Sequence, residues 1–537
     1  MKTETKINPP ETKINEETKR DSHRLSRSII ASMLILIANL VFFFMLWMLR
    51  EYDDVQFDQI LYQIKSPITG TNGGIVGNAI LEVVVVGAIV AASEAFVYIF
   101  LAGAFKNKLT YFKIYIKYSA TRIALFFKKR YMSIASLSLV LSMLIFIFRL
   151  GMHTFIINSL TDSDFIEDNY VDPESVALTF PEERRNLVYI FLESMENTFS
   201  DAGLTESLDE NLIPELSKLQ NENVTFSSNG GKYGAYSYVG TGWTAAGMFS
   251  QTSGMPIKTP LNFDFYGADG TYMPGTTSLG DILKKEGYNQ TLLLGSDAGF
   301  AARDVYFETH GNYEVIDVYT LKEEGRIPED YWEWWGVEDI KLFDIAKEEI
   351  TRLAAEGKPF NFTTLTTDTH CPGGYICEEC ESILDDQYSN VLRCSSKLVY
   401  EFIDWLKEQS FYENTTIILA GDHLTMAPAF LDGIDESYIR TTYNCIINAP
   451  IEPKNEAERE FGSFDMFPTT LAAMGVAIEG DRLALGTNLF SSEKTLTEIY
   501  GYDKLNEELS KSSDFYFESF YYATASAEGK SNKKECT

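Results

Sequence analysis

The strongest constraint on this chain lies near its start. Ile29 to Leu49 is an uncharged run of 21 residues, long enough to cross about 30 Å of hydrocarbon at about 1.5 Å per residue. Val83 to Phe105 is a second run, interrupted only by Glu94, and Tyr131 to Phe148 is a third, closed by Arg149. A cleaved signal peptide fits poorly, because the first run is too long and sits behind a polar tail. Three transmembrane helices are therefore expected within residues 28–152. Glu82 is expected at the end of a span and Glu94 in a contact between helices.

Loop charges orient these spans. Residues 1–27 carry seven Lys/Arg, and Lys106 to Arg130 carries eight with no acid. The intervening loop, Glu51 to Ile75, has four acids and only Lys65. Positive-inside reasoning puts residues 1–27 in the cytoplasm as a tail, and everything after Arg149 outside. Tyr111 to Arg130 mixes aromatic and basic residues and suits the anionic inner leaflet. The bilayer is thus the first expected partner.

Charge then separates the halves. Up to Leu150 there are 18 basic and 11 acidic residues, and from Gly151 on there are 27 and 66. Nucleic acid is excluded as a partner, since the large part repels phosphate backbones. Disorder is excluded too, because 45% apolar and 13% aromatic content builds a core. All six cysteines (Cys371, Cys377, Cys380, Cys394, Cys445 and Cys536) fall in the part expected outside. Disulfides are expected there, with a zinc site around the Cys377-x-x-Cys380 core as the alternative and the pairing open.

The external part reads as α/β. Residues 153–185 form an acidic linker with Pro173 and Pro181. Asn186 to Leu192 is a short apolar, β-branched and aromatic run, the pattern of a strand buried on both faces. Similar runs recur at 290–294, 360–365, 415–420 and 442–447. Helix-like stretches at 277–285, 337–355, 387–409 and 464–474 alternate with them. A mostly parallel sheet flanked by helices follows. The catalytic domain is expected over 186–490, and 491–537 is a tail with no structural signal.

In such sheets, ligands bind beyond the carboxyl ends of strands. Glu193 follows Leu192, and Asp422 and His423 follow the run ending at Ala420. His370 follows the run ending at Leu365, and Arg303 lies a little beyond Leu294. Two carboxylates and an imidazole suit Mn, Zn or Mg. The segment Gly240-Thr-Gly-Trp-Thr-Ala-Ala-Gly-Met248 places Thr244 at a helix start, where free N–H groups attract anions. The plainer possibility is an ordinary N-cap made by Thr241 or Thr244.

Five ordered motifs carry a resemblance: Asn-Leu-Val-Tyr-Ile-Phe-Leu-Glu-Ser (186–194), Gly-Trp-Thr-Ala-Ala-Gly-Met (242–248), Gly-Phe-Ala-Ala-Arg-Asp (299–304), Thr-His (369–370) and Gly-Asp-His (421–423). Together they resemble the lipoteichoic acid synthase and phosphoglycerol transferase group of the alkaline phosphatase/sulfatase superfamily. The branch that decorates periplasmic glucans is the nearest in pattern. The stretch Asp465-Met-Phe-Pro-Thr-Thr470 looks like the helix that follows the last metal ligands there. The resemblance implies an alkaline phosphatase/sulfatase-like sandwich, with Glu193, Asp422, His423 and Thr244 holding one divalent ion, Mn²⁺ first and Mg²⁺ or Zn²⁺ as alternatives. It implies Thr244 as nucleophile, and Arg303 and His370 as contacts to the transferred phosphoryl group. One departure is visible: lipoteichoic acid synthases have a Trp just before the arginine, where this chain has Phe300-Ala-Ala.

The resemblance further implies a bacterial inner-membrane enzyme whose catalytic domain is periplasmic or extracellular. Its donor would be phosphatidylglycerol and its acceptor an envelope glycan or polymer. A phosphoethanolamine transferase of the same superfamily and a non-catalytic envelope sensor are the alternatives. A sulfatase proper needs Cys or Ser in a Cys/Ser-x-Pro-x-Arg segment, which Trp243-Thr-Ala-Ala-Gly247 lacks.

Overall fold

The computed structural model describes residues 10–52, 55–67, 70, 73–104, 116–205, 208–228, 232–260, 271–427, 430, 432–435, 437–454 and 458–523. Two compact units emerge: residues 1–50 with 73–153, and residues 51–72 with 154–537.

Among the described residues, the first unit holds three helices long and apolar enough to cross a membrane: Ser26–Glu51, Gly73–Phe96 and Arg130–Arg149. The first helix begins well before its apolar run, at Pro10. The second begins at Gly73, ahead of the apolar run. Glu82 accepts a 2.5 Å ion pair from Arg50, and Glu94 accepts a hydrogen bond from Asn39 Nδ2 at 3.1 Å. Both acids therefore join span helices to one another. Part of the basic loop, residues 105–115, lies outside the described residues.

The second unit is built on a six-stranded sheet. Its strands are β1 (Asn186–Leu192), β2 (Asn289–Leu294), β3 (Glu314–Ile316), β4 (Phe360–Leu365), β5 (Thr415–Gly421) and β6 (Asn444–Ile447). The spatial order is β3-β2-β4-β1-β5-β6, all parallel except β6, which pairs antiparallel with β5. Central strand β1 is buried along its whole length. Leu187, Tyr189 and Phe191 enter one core and Val188, Ile190 and Leu192 enter the other. Burial on both faces is why no polar alternation marks this strand, and each such side chain stabilises the fold by about 1.5–3 kcal/mol.

Helices cover both faces. Those used below are α1 (Phe57–Lys65), α2 (Thr244–Ser253), α3 (Arg303–Thr309), α4 (Asp339–Ala355), α5 (Gln387–Lys407) and α6 (Met466–Ala473). α5 opens on Asp386, whose side chain accepts from Ser389 N, and it buries one apolar face.

Three features differ from expectation. Residues 51–72, placed by sequence with the membrane part, cluster with the sheet domain. The stretch 153–185 is more than a linker, since the short helix Phe165–Asn169 buries Ile166. Residues 502–521 form helical turns that bury Leu505, Leu509, Tyr516, Phe520 and Tyr521. The i, i+4 pair Leu505/Leu509 was the missed signal there. Cys380 and Cys394 are disulfide-bonded, Cys371, Cys377 and Cys445 are free thiols, and Cys536 lies outside the described residues.

Candidate active site

The strand register assembles the site. Leu192 of β1 pairs with Gly421 of β5, so the next residues, Glu193 and Asp422, leave the sheet side by side. Leu365 of β4 pairs with Phe191 on the other flank and brings the Thr366–His370 loop alongside. Glu193 and Ser194 are turned sharply: Ser194 has φ of 54°, a conformation uncommon outside Gly, Asn and Asp. That turn points the Ser194 N–H at Asp422 Oδ1 and its hydroxyl at Glu193 Oε1, both at 2.8 Å. Asp422 Oδ1 also accepts from His423 N at 2.8 Å.

One ligand atom from each of Glu193, Asp422 and His423 lies within 4.8 Å of the others, and all three residues are buried. His423 Nδ1 lies 2.7 Å from the Leu424 carbonyl. A carbonyl only accepts, so Nδ1 carries a proton and Nε2 is the nitrogen turned to the carboxylates. It is 3.4 Å from Glu193 Oε1 and 3.5 Å from Asp422 Oδ2. Asp422 Oδ2 is buried without a hydrogen-bond partner. An orphan carboxylate oxygen, a second carboxylate and an oriented imidazole are what a divalent cation requires, so the residues fit one.

The charges agree. Burial pushes the Asp422 carboxyl up to about 8, and the neighbouring Glu193 adds to the rise. Burial works against Glu193 as well, but His370 and His423 hold it well below the ordinary carboxylate range.

Thr244 joins this cluster. α2 starts at Thr244 with Trp243 as N-cap residue, and no side chain caps it. The N-cap role considered for Thr244 is therefore absent. Its hydroxyl instead donates to Glu193 Oε2 at 3.2 Å and lies 3.4 Å from His423 Nε2. Thr241, the other candidate cap, bonds within its own turn to Tyr238. Gly247 makes the approach possible: a Cβ there would overlap the Asp422 carbonyl oxygen and lie 2.7 Å from its carbonyl carbon.

Arg303 is buried at the start of α3. Its Nη2 donates to Ser296 Oγ at 3.0 Å and to the Asp297 carbonyl at 2.6 Å, and Nε donates to the Phe300 carbonyl at 3.1 Å. Burial lowers its pKa, while the nearby Glu193 charge raises it. His370 donates from Nδ1 to the Cys371 carbonyl at 2.6 Å, which leaves Nε2 for other work. Burial pulls His370 down and Glu193 pulls it up. Sequence reasoning missed Ser194, whose turn is invisible in composition. It also missed Trp335, whose ring lies 4.5 Å from His370 and 5.6 Å from Phe300. The Trp-rich stretch 332–335 was its only signal.

Two carboxylates and an imidazole at the carboxyl ends of adjacent parallel strands form a group that could hold a divalent ion, with a helix-start hydroxyl beside them. A sequence profile of the sulfatase family matches residues 185–476, more than half of the chain, and the protein belongs to that family. Among its relatives is a phosphoglycerol transferase I of Xanthomonas campestris, 31% identical over 319 residues, covering 58% of this chain and 43% of that protein. Another is a phosphoglycerol transferase I of Salmonella paratyphi B, 33% identical over 256 residues, covering 47% of this chain and 32% of that protein. The matched region thus spans less than half of these relatives. Among solved structures, the lipoteichoic acid synthase LtaP of Listeria monocytogenes aligns with a TM-score of 0.46 and 18% identity, covering 61% of this chain and 81% of that one.

Proposed function

We propose that this protein is a membrane-anchored phosphoglycerol transferase that moves glycerophosphate from phosphatidylglycerol to an envelope glycan or polymer through a covalent intermediate on Thr244. The observation that carries this reading is the Thr244 hydroxyl, 3.2 Å from Glu193 and 3.4 Å from His423 at the start of α2. The relatives named phosphoglycerol transferase I support the choice of group transferred.

Glu193, Asp422, His423 and Thr244 would hold one divalent ion, with Mn²⁺ preferred and Mg²⁺ or Zn²⁺ compatible with the same donors. When bound, the ion lowers the pKa of the threonine hydroxyl and screens charge on the phosphate. In the first half-reaction Thr244 Oγ gives up its proton to solvent and attacks phosphorus. The Oγ–P bond forms as the bond to the diacylglycerol oxygen breaks. Arg303, fixed on three sides by its hydrogen bonds, faces the phosphoryl oxygens with its remaining N–H groups and offsets their developing charge. His370 Nε2 gives a proton to the departing diacylglycerol oxygen. In the second half it takes one from the incoming glycan hydroxyl, whose oxygen bonds to phosphorus as the Thr244 Oγ–P bond breaks and Thr244 recovers a proton from solvent. The sheet domain lies outside the bacterial inner membrane in this reading, so fusions at Lys117 and Leu178 should report opposite sides.

The test is diacylglycerol release from phosphatidylglycerol vesicles by the full chain. Thr244→Ala should abolish release, and trapped wild type should carry one glycerophosphate on the peptide bearing Thr244. Wild-type rates in Thr244→Ala would overturn the mechanism. Release from phosphatidylethanolamine alone would transfer the reading to the phosphoethanolamine transferase.

A further inference from the structure

The segment between the first two spans reaches into the catalytic unit. Helix α1 buries Asp58, Ile60 and Tyr62, so its inward face is committed to the sheet domain. The Tyr62 ring lies 5.2 Å from that of Trp243, the residue before the nucleophile. Its hydroxyl donates to the Ala301 carbonyl at 2.9 Å, and Ala301 N donates to the Pro67 carbonyl at 3.2 Å. Gly70 packs on the Asp297 side chain so closely that a Cβ would lie 3.1 Å from Asp297 Cγ. Three separate contacts from one segment thus converge on the turn that carries Arg303.

That turn needs holding. Ala301 and Ala302 have φ of 57° and 60°, a conformation that is costly for any residue with a Cβ and persists only where its surroundings over-determine it. Within the turn itself the Ala302 N–H bonds to Gly299. Both backbone groups of Ala301 are taken by the segment 62–67. The turn also sets the direction of Arg303, because Nε bonds to Phe300 and Nη2 to Asp297.

We infer that residues 56–67, with Gly70, form a strap belonging to the catalytic centre, and that Tyr62 is a positioning residue which holds the Ala301-Ala302 turn so that Arg303 meets the phosphoryl group. The inference rests on the phosphoryl-binding role proposed for Arg303. The same strap also lines a groove in which Gln56 and Gln59 share the walls with Gly242, Trp243 and Thr425.

The test is a double-mutant cycle in the full chain, scored by diacylglycerol release. Tyr62→Phe keeps the ring and removes the bond to the Ala301 carbonyl together with the longer 3.4 Å one to the Tyr272 hydroxyl, so kcat should fall roughly tenfold with KM little changed. Arg303→Lys keeps the charge but loses the fork, and should fall by more. In the Arg303→Lys background, adding Tyr62→Phe should cost less than twofold, because the group it positions is already gone. Gly70→Ala, which pushes on Asp297, should show the same fall and the same non-additivity. A structural role alone predicts factors that multiply and thermal midpoints that fall together. Factors that multiply while Arg303→Lys is impaired would overturn the strap alone. An Arg303→Lys enzyme with normal turnover would overturn both the role of Arg303 and the strap.

Discussion

Gly247→Ala tests the geometry of the site without replacing a proposed ligand. Gly247 lies one turn into α2, directly against the backbone of Asp422. A methyl group there would sit 2.7 Å from the Asp422 carbonyl carbon, whereas relaxed carbon–carbon contacts are about 3.5–4.0 Å. The shortfall is about 1 Å, and neither partner is a flexible side-chain end. Either α2 backs away or the Gly421–His423 loop moves, and both stretch the 3.2 Å and 3.4 Å contacts of Thr244. Overpacking of this kind costs about 1–3 kcal/mol of stability. A nucleophile misplaced by about 1 Å costs on the order of 10²-fold in rate, or about 2.7 kcal/mol. The assay is diacylglycerol release beside the thermal midpoint in detergent. Activity should fall about a hundredfold while the midpoint drops by only a few degrees. Turnover within twofold of wild type, with an unchanged midpoint, would refute the claim that close approach of α2 builds the site.

Three further outcomes are expected. Chelation should stop turnover and Mn²⁺ should restore it, and full activity in protein shown metal-free by elemental analysis would remove the site. Burial pushes Asp465 up to about 7, above the roughly 4 of an unfolded aspartate. The fold therefore keeps a proton that the unfolded chain gives up, and this stability is complete below about pH 4 and is lost as pH rises through 7. The thermal midpoint of the wild type should fall relative to Asp465→Asn between pH 4.5 and 7.5, and a constant difference would contradict the shift. Cys380→Ser opens the disulfide to Cys394, 14 residues away, and should cost about 3 kcal/mol in the chain-entropy picture; an unchanged denaturation midpoint would contradict it.

Much of this was legible because parallel strands buried on both faces leave unbroken apolar runs, and sites lie where such runs end. That rule pointed to Glu193, Asp422, His423 and His370, and ligand atoms of the first three lie within 4.8 Å of one another. The five strands read from sequence all form, with boundaries within two residues. β3 escaped notice because three residues at a sheet edge leave too short a pattern. The strap was read only as an acidic loop with one lysine, since its role depends on contacts more than 200 residues away in the chain, such as Tyr62 to Ala301. The left-handed turns at Ser194 and at Ala301-Ala302 were equally hidden, because nothing in Ser or Ala announces a positive φ.

The strap and the rest of the catalytic unit are separated in the chain by two span helices. Two crossings return a chain to the side it left, so both pieces are delivered to one face of the bilayer only when both helices insert. A copy that threads just one of them strands the pieces in different compartments. On the role inferred for the strap, its Arg303 turn then goes without the Tyr62 and Pro67 bonds, and the misinserted copy turns over slowly. In this reading correct biogenesis becomes a condition for full turnover, set by the parity of the spans.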